Sequence, residues 1–212
     1  MAEKPTVIAV QKALESAKKR KFTETVELAI NLKDIDLSVP KNRIQDDVIL
    51  PNGRGRKVRV CVIGGGELAL KAKDVADLVI TPDELAVIAD DKKQAKKIAG
   101  NTDFFIAEAP LMAVVGKRLG TVLGPRGKMP KPIPPGADPS GMIENLRKSV
   151  TIRTKDRKTF HAPVGTADMT PEQLADNIET IIKRIETRLE KGRMNIASSY
   201  VKTTMGPSER II

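Results

Sequence analysis

The chain has 212 residues, of which 40% are hydrophobic and 30% are charged. This length allows one large domain or two modest ones, and the hydrophobic content suffices for packed cores, which excludes disorder throughout the chain. The 37 Lys and Arg residues outnumber the 27 Asp and Glu residues, and the resulting net charge of +10 favours a nucleic acid as the partner.

The first predicted elements are a helix and a half-buried strand. Apolar residues recur at helical spacing at Val7, Val10, Leu14 and Ala17. The basic cluster 18–21 follows, where cations suit the carboxyl end of a helix. Polar and apolar side chains then alternate through residues 22–30, which predicts a strand with an open polar face.

Two further strands are predicted at 43–50 and 57–63. The segment between them, 51–56, reads Pro-Asn-Gly-Arg-Gly-Arg and has the composition of a turn. The pattern predicts that the two strands form a hairpin with a longer loop.

Strands and helices alternate after the three glycines Gly64, Gly65 and Gly66. The predicted strands are 77–80, 103–107 and 150–154, and the predicted helices are 67–73, 82–89, 91–99, 110–119 and 140–148. Such alternation is typical of an α/β layer with a parallel core. The segment from about residue 66 to residue 155 could form a small domain of its own.

The last third of the chain combines two strands with the clearest helix. A strand at 159–164 precedes the capping box Thr170-Pro171-Glu172-Gln173, which begins a helix with one apolar face that ends at Gly192. A final strand is predicted at 196–205.

The segment 116–132 concentrates positive charge without one acidic residue. Its cations are Lys117, Arg118, Arg126, Lys128 and Lys131. Because glycine and proline recur through the segment, a helix or a central strand is not expected across most of it. The sequence predicts a stiff, exposed basic loop that contacts a polyanion, with a solvated loop as the alternative.

Catalytic motifs are missing from the sequence. The glycines at 64–66 lack the third glycine of a dinucleotide fingerprint, and Gly127-Lys128 lacks the spacing of a phosphate-binding loop. His161 is the one histidine and Cys61 the one cysteine, so we expect no metal site, no cofactor and no enzyme activity. No stretch approaches the ~20 apolar residues of a membrane span, so we expect a soluble, cytoplasmic protein.

Aromatic residues make up 2% of the chain, too few for rows of rings that stack on single-stranded bases. Recognition is therefore expected to use phosphates, sugars and the shape of a folded RNA. The net charge alone does not distinguish RNA from DNA as the partner.

Four motifs then occur in a fixed order: FTETVE at 22–27, LGPRGKMP at 123–130, HAPVG at 161–165 and TTMGP at 203–207. Together they resemble the universal family of large-subunit ribosomal protein one, the L-one family, and segment 51–56 is most similar to its archaeal branch. The resemblance implies a split first domain, 1–65 plus 156–212, with an antiparallel sheet and helices. It also implies an inserted, Rossmann-like three-layer α/β domain, 66–155, with Gly64, Gly65 and Gly66 as a hinge.

The resemblance further implies a function. The family binds a helical junction of large-subunit ribosomal RNA, forms the mobile stalk near the exit site, assists release of deacylated tRNA and represses its own mRNA. We expect a monomer when free, without a membrane partner. The alternatives are a generic basic RNA-binding or chaperone protein and, with less support, a nucleotide-dependent α/β enzyme.

The RNA-binding residues implied by the resemblance fall on three parts of the chain. They are Lys21, Phe22, Thr25, Glu27, His161, Ser198, Thr203, Thr204, Met205 and Gly206. An equally good interpretation of Glu27 is a cross-strand partner for a cation. The alternative for Met205 is a core residue of the last strand, but the motif favours the RNA contact. The basic loop is a secondary contact or part of a domain interface.

Overall fold

The computed structural model describes residues 4–212. The helices are α1 (Lys4–Glu15), α2 (Gly66–Lys73), α3 (Pro82–Asp90), α4 (Lys92–Asn101), α5 (Met112–Leu123), α6 (Ser140–Arg147) and α7 (Pro171–Glu186). The strands are β1 (Thr25–Leu32), β2 (Gln45–Ile49), β3 (Val60–Ile63), β4 (Leu78–Ile80), β5 (Phe104–Glu108), β6 (Lys131–Ile133), β7 (Ser149–Arg153), β8 (Thr159–Thr166), β9 (Ile196–Thr203) and β10 (Ser208–Arg210). Short 3-10 helices lie at Pro40–Asn42, Ala109–Leu111 and Gly192–Asn195. These elements confirm the mixed α/β fold class.

The chain divides into two compact units. Unit 1 joins the residues up to Arg56 to Lys148–Ile212, and unit 2 is the continuous segment Lys57–Arg147. The sequence prediction changes domain at 65/66 and 155/156 instead. The difference arises because β3 pairs with β4 and β5 inside unit 2, while β7 pairs with β2 inside unit 1. The domain division stays a prediction.

Unit 1 is built on an antiparallel sheet in the order β10-β9-β1-β8. The side chains of β1 alternate strictly between half-buried and buried, as the pattern at 22–30 predicts. Its buried side chains Val26, Leu28 and Ile30 join one core with the apolar residues of α1 and α7. The capping box at Thr170 is confirmed, with its side chain accepting from the Gln173 amide. One face of the sheet is therefore buried against α1 and α7, and these helices leave the other face uncovered.

The predicted hairpin is wrong. Strand β2 pairs with β7 in a separate two-stranded sheet, and β3 lies in unit 2. All four residues of β3 are buried, which suits the centre of a parallel sheet and not one strand of a half-exposed hairpin. The segment 51–56 is held instead by Asn177, whose amide group donates to the carbonyls of Gly53 and Val164 at 2.9 Å each.

Unit 2 is a three-layer α/β structure around a parallel sheet in the order β4-β3-β5-β6. Alternate residues of β3 enter two separate cores. Cys61 and Ile63 pack with α3, α4 and α5, whereas Val60 and Val62 pack with α2 and α6. The sheet is thus covered by helices on both faces, as parallel strands require.

The hinge assignment of the three glycines needs correction. Gly64, Gly65 and Gly66 lie between β3 and α2, inside unit 2, whereas the chain passes between the units at 56/57 and 147/148. Gly64 is buried, and a Cβ there would overlap the side chain of Leu68. Gly66 has φ +50°, a left-handed conformation that favours glycine. The glycines therefore shape a strand-to-helix turn.

Candidate nucleic-acid interface

The outer face of the unit 1 sheet carries three cross-strand rows of side chains. Directly opposed residues of antiparallel strands project from the same face. The hydrogen-bonded row contains Thr159, Asn31 and Ser198; the charged row contains Glu27 and Lys202, beside Pro163; and the ring row contains His161, Ala29 and Tyr200. These rows form the open polar face that the sequence predicts.

The hydrogen-bonded row is fixed within the chain. The Thr159 hydroxyl donates to Asn31 Oδ1 at 2.7 Å, and Asn31 Nδ2 donates to Ser198 Oγ at 2.8 Å. Ser198 thus keeps its own hydroxyl proton for an external acceptor, because a serine hydroxyl has one donor besides its acceptor lone pairs. The sequence argument named Ser198 and missed Asn31, although the alternation of β1 continues to that position.

The charged row leaves opposite charges side by side without an ion pair. Glu27 and Lys202 are directly opposed in the register of β1 and β9. Neither forms a salt bridge or a side-chain hydrogen bond with residues 4–212. The alternative interpretation of Glu27, a partner for a cross-strand cation, is therefore not realised here. Its carboxylate is free to accept from an external hydroxyl or amino group.

The end of this face is built by a turn that follows β9. The Thr204 amide donates to the Thr25 carbonyl at 2.9 Å, and its hydroxyl donates to the same carbonyl at 3.1 Å. The Thr25 amide donates to the Thr204 hydroxyl oxygen at 3.1 Å. Since the Thr204 hydroxyl proton is used inside the chain, this hydroxyl can only accept a hydrogen bond from an external donor, through its remaining lone pair.

A buried carboxylate orients Met205. Glu24 is 5% exposed and accepts from the Met205 amide at 3.1 Å, while Arg20 forms a 2.9 Å ion pair with it. The Thr203 hydroxyl, the Met205 amide and Arg20 together lower the pKa of Glu24 from its ordinary value of 4.5, against the effect of burial. The Met205 side chain is 60% exposed, so it is not a core residue.

Two predicted contact residues serve the fold. Thr203 is fully buried, with its side chain on the opposite face of β9 from the three rows. A Cβ on Gly206 would overlap the Thr203 hydroxyl, so the absence of a side chain at Gly206 is required by packing within unit 1. Their direct contact with RNA stays a prediction, and burial does not favour it for Thr203.

Lys21 and Phe22 lie just before β1 and are exposed; Phe22 is 54% exposed. The exposed ring and the neighbouring ammonium group are both accessible to an external partner, and their contact with RNA stays a prediction. The sequence argument missed Lys202, yet the alternation of residues 196–203 would have placed it and Tyr200 on this face.

The predicted basic loop is only partly a loop. Residues 116–123 form the carboxyl-terminal part of α5. The helix tolerates Gly116 and Gly120, which lie in open space, because its apolar face is buried. Lys117 and Arg118 are exposed on that helix. Lys128 Nζ donates to the carbonyls of Ala99 and Thr102 at 2.9 and 2.6 Å, and Lys131 Nζ lies 5.8 Å from the centre of the Phe104 ring.

Arg126 also bonds within unit 2, through a 3.3 Å hydrogen bond from Nη1 to the Val122 carbonyl. Lys128, Lys131 and Arg126 thus have structural contacts. Arg126 is exposed as well, but of the five predicted cations Lys117 and Arg118 are the pair that is exposed without a hydrogen bond or ion pair to the described residues.

The glycines of unit 2 do not form a phosphate site. Backbone amides at the start of a helix after a parallel strand can bind phosphate. Here the Gly65 amide donates to Glu108 Oε1 at 3.3 Å, and the Gly64 amide donates to the Ile80 carbonyl at 3.1 Å. A carboxylate of the chain therefore occupies the place of an anion.

Other reactive groups give no site within residues 4–212. These residues contain no cluster of His, Cys, Asp and Glu side chains that could hold a metal ion. Burial raises the pKa of the Cys61 thiol to about 12, so the thiolate is suppressed. Across the same range, no helix has the length and apolar composition to cross a membrane.

Comparison with known proteins gives a consistent result. The model of the Ribosomal protein L1p/L10e family matches residues 13–207. A large ribosomal subunit protein uL1 from Methanocella arvoryzae is 56% identical over 213 residues, covering 100% of both chains. The uL1 protein of Picrophilus torridus is 51% identical over 93% of this chain and 92% of its own. That of Haloferax volcanii is 50% identical, with 97% of each chain covered.

Proposed function

The chain belongs to the ribosomal protein L1p/L10e family, and on that premise we propose that it is a structural constituent of the large ribosomal subunit that binds ribosomal RNA through the outer face of unit 1. Family membership confirms the resemblance drawn from the motifs and the expectation that the chain is not an enzyme. As a ribosomal protein it would act in the cytoplasm.

One observation carries the location of the RNA site. The outer face presents a carboxylate, an ammonium group, an imidazole and a phenol that have no hydrogen-bonding partner among the described residues; they belong to Glu27, Lys202, His161 and Tyr200. Polar groups without partners inside the protein can form hydrogen bonds with an external molecule. Their mixed donor and acceptor character suits ribose hydroxyls and base edges, whereas phosphates alone would need only cations.

The finer assignments of the family are part of the same proposal. We propose that the RNA is the helical junction of the mobile stalk beside the exit site, where the protein assists release of deacylated tRNA. We also propose that it represses its own mRNA, whose leader would offer the same contacts, and that the free protein is a monomer. The exposed Lys117 and Arg118 of α5 would provide a secondary contact with RNA or tRNA.

Binding to a ribosomal stalk RNA fragment tests the proposal. The fragment and a scrambled helix of equal length are titrated with the protein across a salt series, in excess competitor RNA. We expect a preference for the stalk fragment that persists at high salt, because contacts to sugars and bases depend on salt less than phosphate contacts do. Equal binding of both RNAs that disappears with salt would leave only the generic basic RNA-binding protein.

A further inference from the structure

The ring row places the smallest side chain of the outer face between two ring-bearing residues. Ala29 on β1 is directly opposed by His161 on β8 and by Tyr200 on β9. Ala29 is half-buried, as is Tyr200, while His161 is exposed. Because side chains stand roughly perpendicular to a sheet, this register would place the two rings as walls on either side of the Ala29 methyl group, with a slot between them.

The width of the slot fits one planar aromatic ring. Neighbouring strands lie about 4.8 Å apart, so the two strands that carry the rings are about 9.6 Å apart. A ring stacked between two others needs about 7 Å, which is two carbon–carbon contacts of about 3.5 Å each. The remaining distance allows the walls to tilt.

The groups around the slot are also arranged for a nucleobase. Neither His161 nor Tyr200 has a hydrogen bond or ring contact within the part of the chain that the structure describes. Glu27, two positions before Ala29 on the same strand and face, offers a free carboxylate at one end. At the other end, the hydrogen-bonded row fixes the amide of Asn31. A base edge thus meets an acceptor that can bind an exocyclic amino group.

We propose that His161, Ala29 and Tyr200 form a slot that holds one unstacked nucleobase of the bound RNA. This inference rests on the proposed RNA-binding function of the same face. It adds a stacking contact with one base to a surface that is proposed to contact ribose hydroxyls and base edges. Unpaired bases of structured RNA are commonly stacked on aromatic or histidine side chains in this manner.

The test fills the slot without removing a polar group. Ala29→Leu adds three carbons to the floor and changes neither charge nor hydrogen bonding; Ala113→Leu, at an exposed position of α5, is the matched control. Both variants are titrated with the stalk RNA fragment and with fragments in which each unpaired nucleotide in turn is abasic. Circular dichroism and thermal melting check the fold, and Tyr200→Ala serves as a second variant should Ala29→Leu not fold.

We expect Ala29→Leu to weaken binding of the intact fragment roughly tenfold, the typical contribution of one stacked base. One abasic position should weaken binding of the unaltered protein equally, and the variant and that abasic RNA together should lose no more than either alone. Ala113→Leu should change nothing. If the losses add at every position, the slot is wrong while the stalk preference stands. If the unaltered protein shows no preference for the stalk fragment over the scrambled helix, the proposed function itself fails.

Discussion

The outer face of the unit 1 sheet and the carboxyl ends of the unit 2 strands differ in whether their polar groups have partners within the chain. In doubly wound α/β sheets, ligands usually bind where parallel strands end. In this chain the Gly65 amide at that place already donates to the Glu108 carboxylate at 3.3 Å. On the unit 1 face, Glu27 and Lys202 are opposed and unpaired. The proposed binding site thus coincides with polar groups that the fold leaves without internal partners, and not with the usual ligand position of a parallel sheet.

The largest effect is expected from a negative charge on the unit 1 face, which would repel the phosphates of the RNA. Met205→Asp should weaken binding of the stalk fragment about 100-fold, or about 2.7 kcal/mol, because a carboxylate at an exposed contact position repels phosphate. Met194→Asp is the control, since Met194 is 73% exposed and lies in the 3-10 helix before β9. Filter binding measures both. Equal losses in the two variants would contradict the assigned position of the site.

The same substitution at two lysines should separate binding from stability. Lys202→Met should lower affinity and reduce the salt slope of binding by about 1, with the melting temperature unchanged. Lys128→Met should leave the slope unchanged and reduce the free energy of unfolding by about 1–3 kcal/mol, because two carbonyls lose their donor. Chemical denaturation and salt titrations distinguish the outcomes, and a reduced slope in Lys128→Met would count against its structural role.

Acid should loosen the Met205 turn before it affects the rest of the face. The pKa of Glu24 is lowered in the folded state by the Thr203 hydroxyl, the Met205 amide and Arg20. Its stabilisation is therefore complete above the ordinary value of 4.5 and is lost as the pH falls through the lowered value. We expect the protection of the Met205 amide from exchange, taken relative to the intrinsic rate at each pH, to fall over this range, and Glu24→Gln to remove that dependence. An unchanged pH profile in the variant would contradict the assignment to Glu24.

The smallest expected effect concerns the glycine turn of unit 2. Gly66→Ala should cost about 1 kcal/mol of unfolding free energy, because φ of +50° disfavours a side chain while the space around the Cβ is open. RNA affinity should not change. Gly100→Ala, in α4 with equally open space, is the control and should be neutral or slightly stabilising. A loss of RNA affinity in Gly66→Ala alone would restore a functional role for the turn.

The sequence predicts most elements because their signals are local. The alternation of β1 and the capping box of α7 depend on residues close in sequence, and both are confirmed. The hairpin at 43–63 fails because the partner of β2 is β7, about a hundred residues away, and no local pattern specifies that pairing.

The sequence predicts only some of the residues of the candidate site. Motif resemblance supplies Glu27, His161 and Ser198, which the sheet brings to one face. It also supplies Thr203, whose burial depends on strand register that a motif does not encode. Asn31 and Ala29 were missed because a small or amide side chain becomes informative only when its cross-strand neighbours are known.

The pairing of β1 with β9 also determines when, during synthesis of the chain, the outer face of unit 1 can form. The hydrogen bonds between Thr25 and Thr204 join residues 179 positions apart, whereas unit 2 is one continuous segment. During synthesis, unit 2 can therefore close while the outer face of unit 1 still lacks a central strand. Such distant pairing is slow to form. A nascent chain that ends before residue 196 would have no Tyr200, Lys202 or Thr204, so RNA binding at the proposed face would begin only once the last strands have been made.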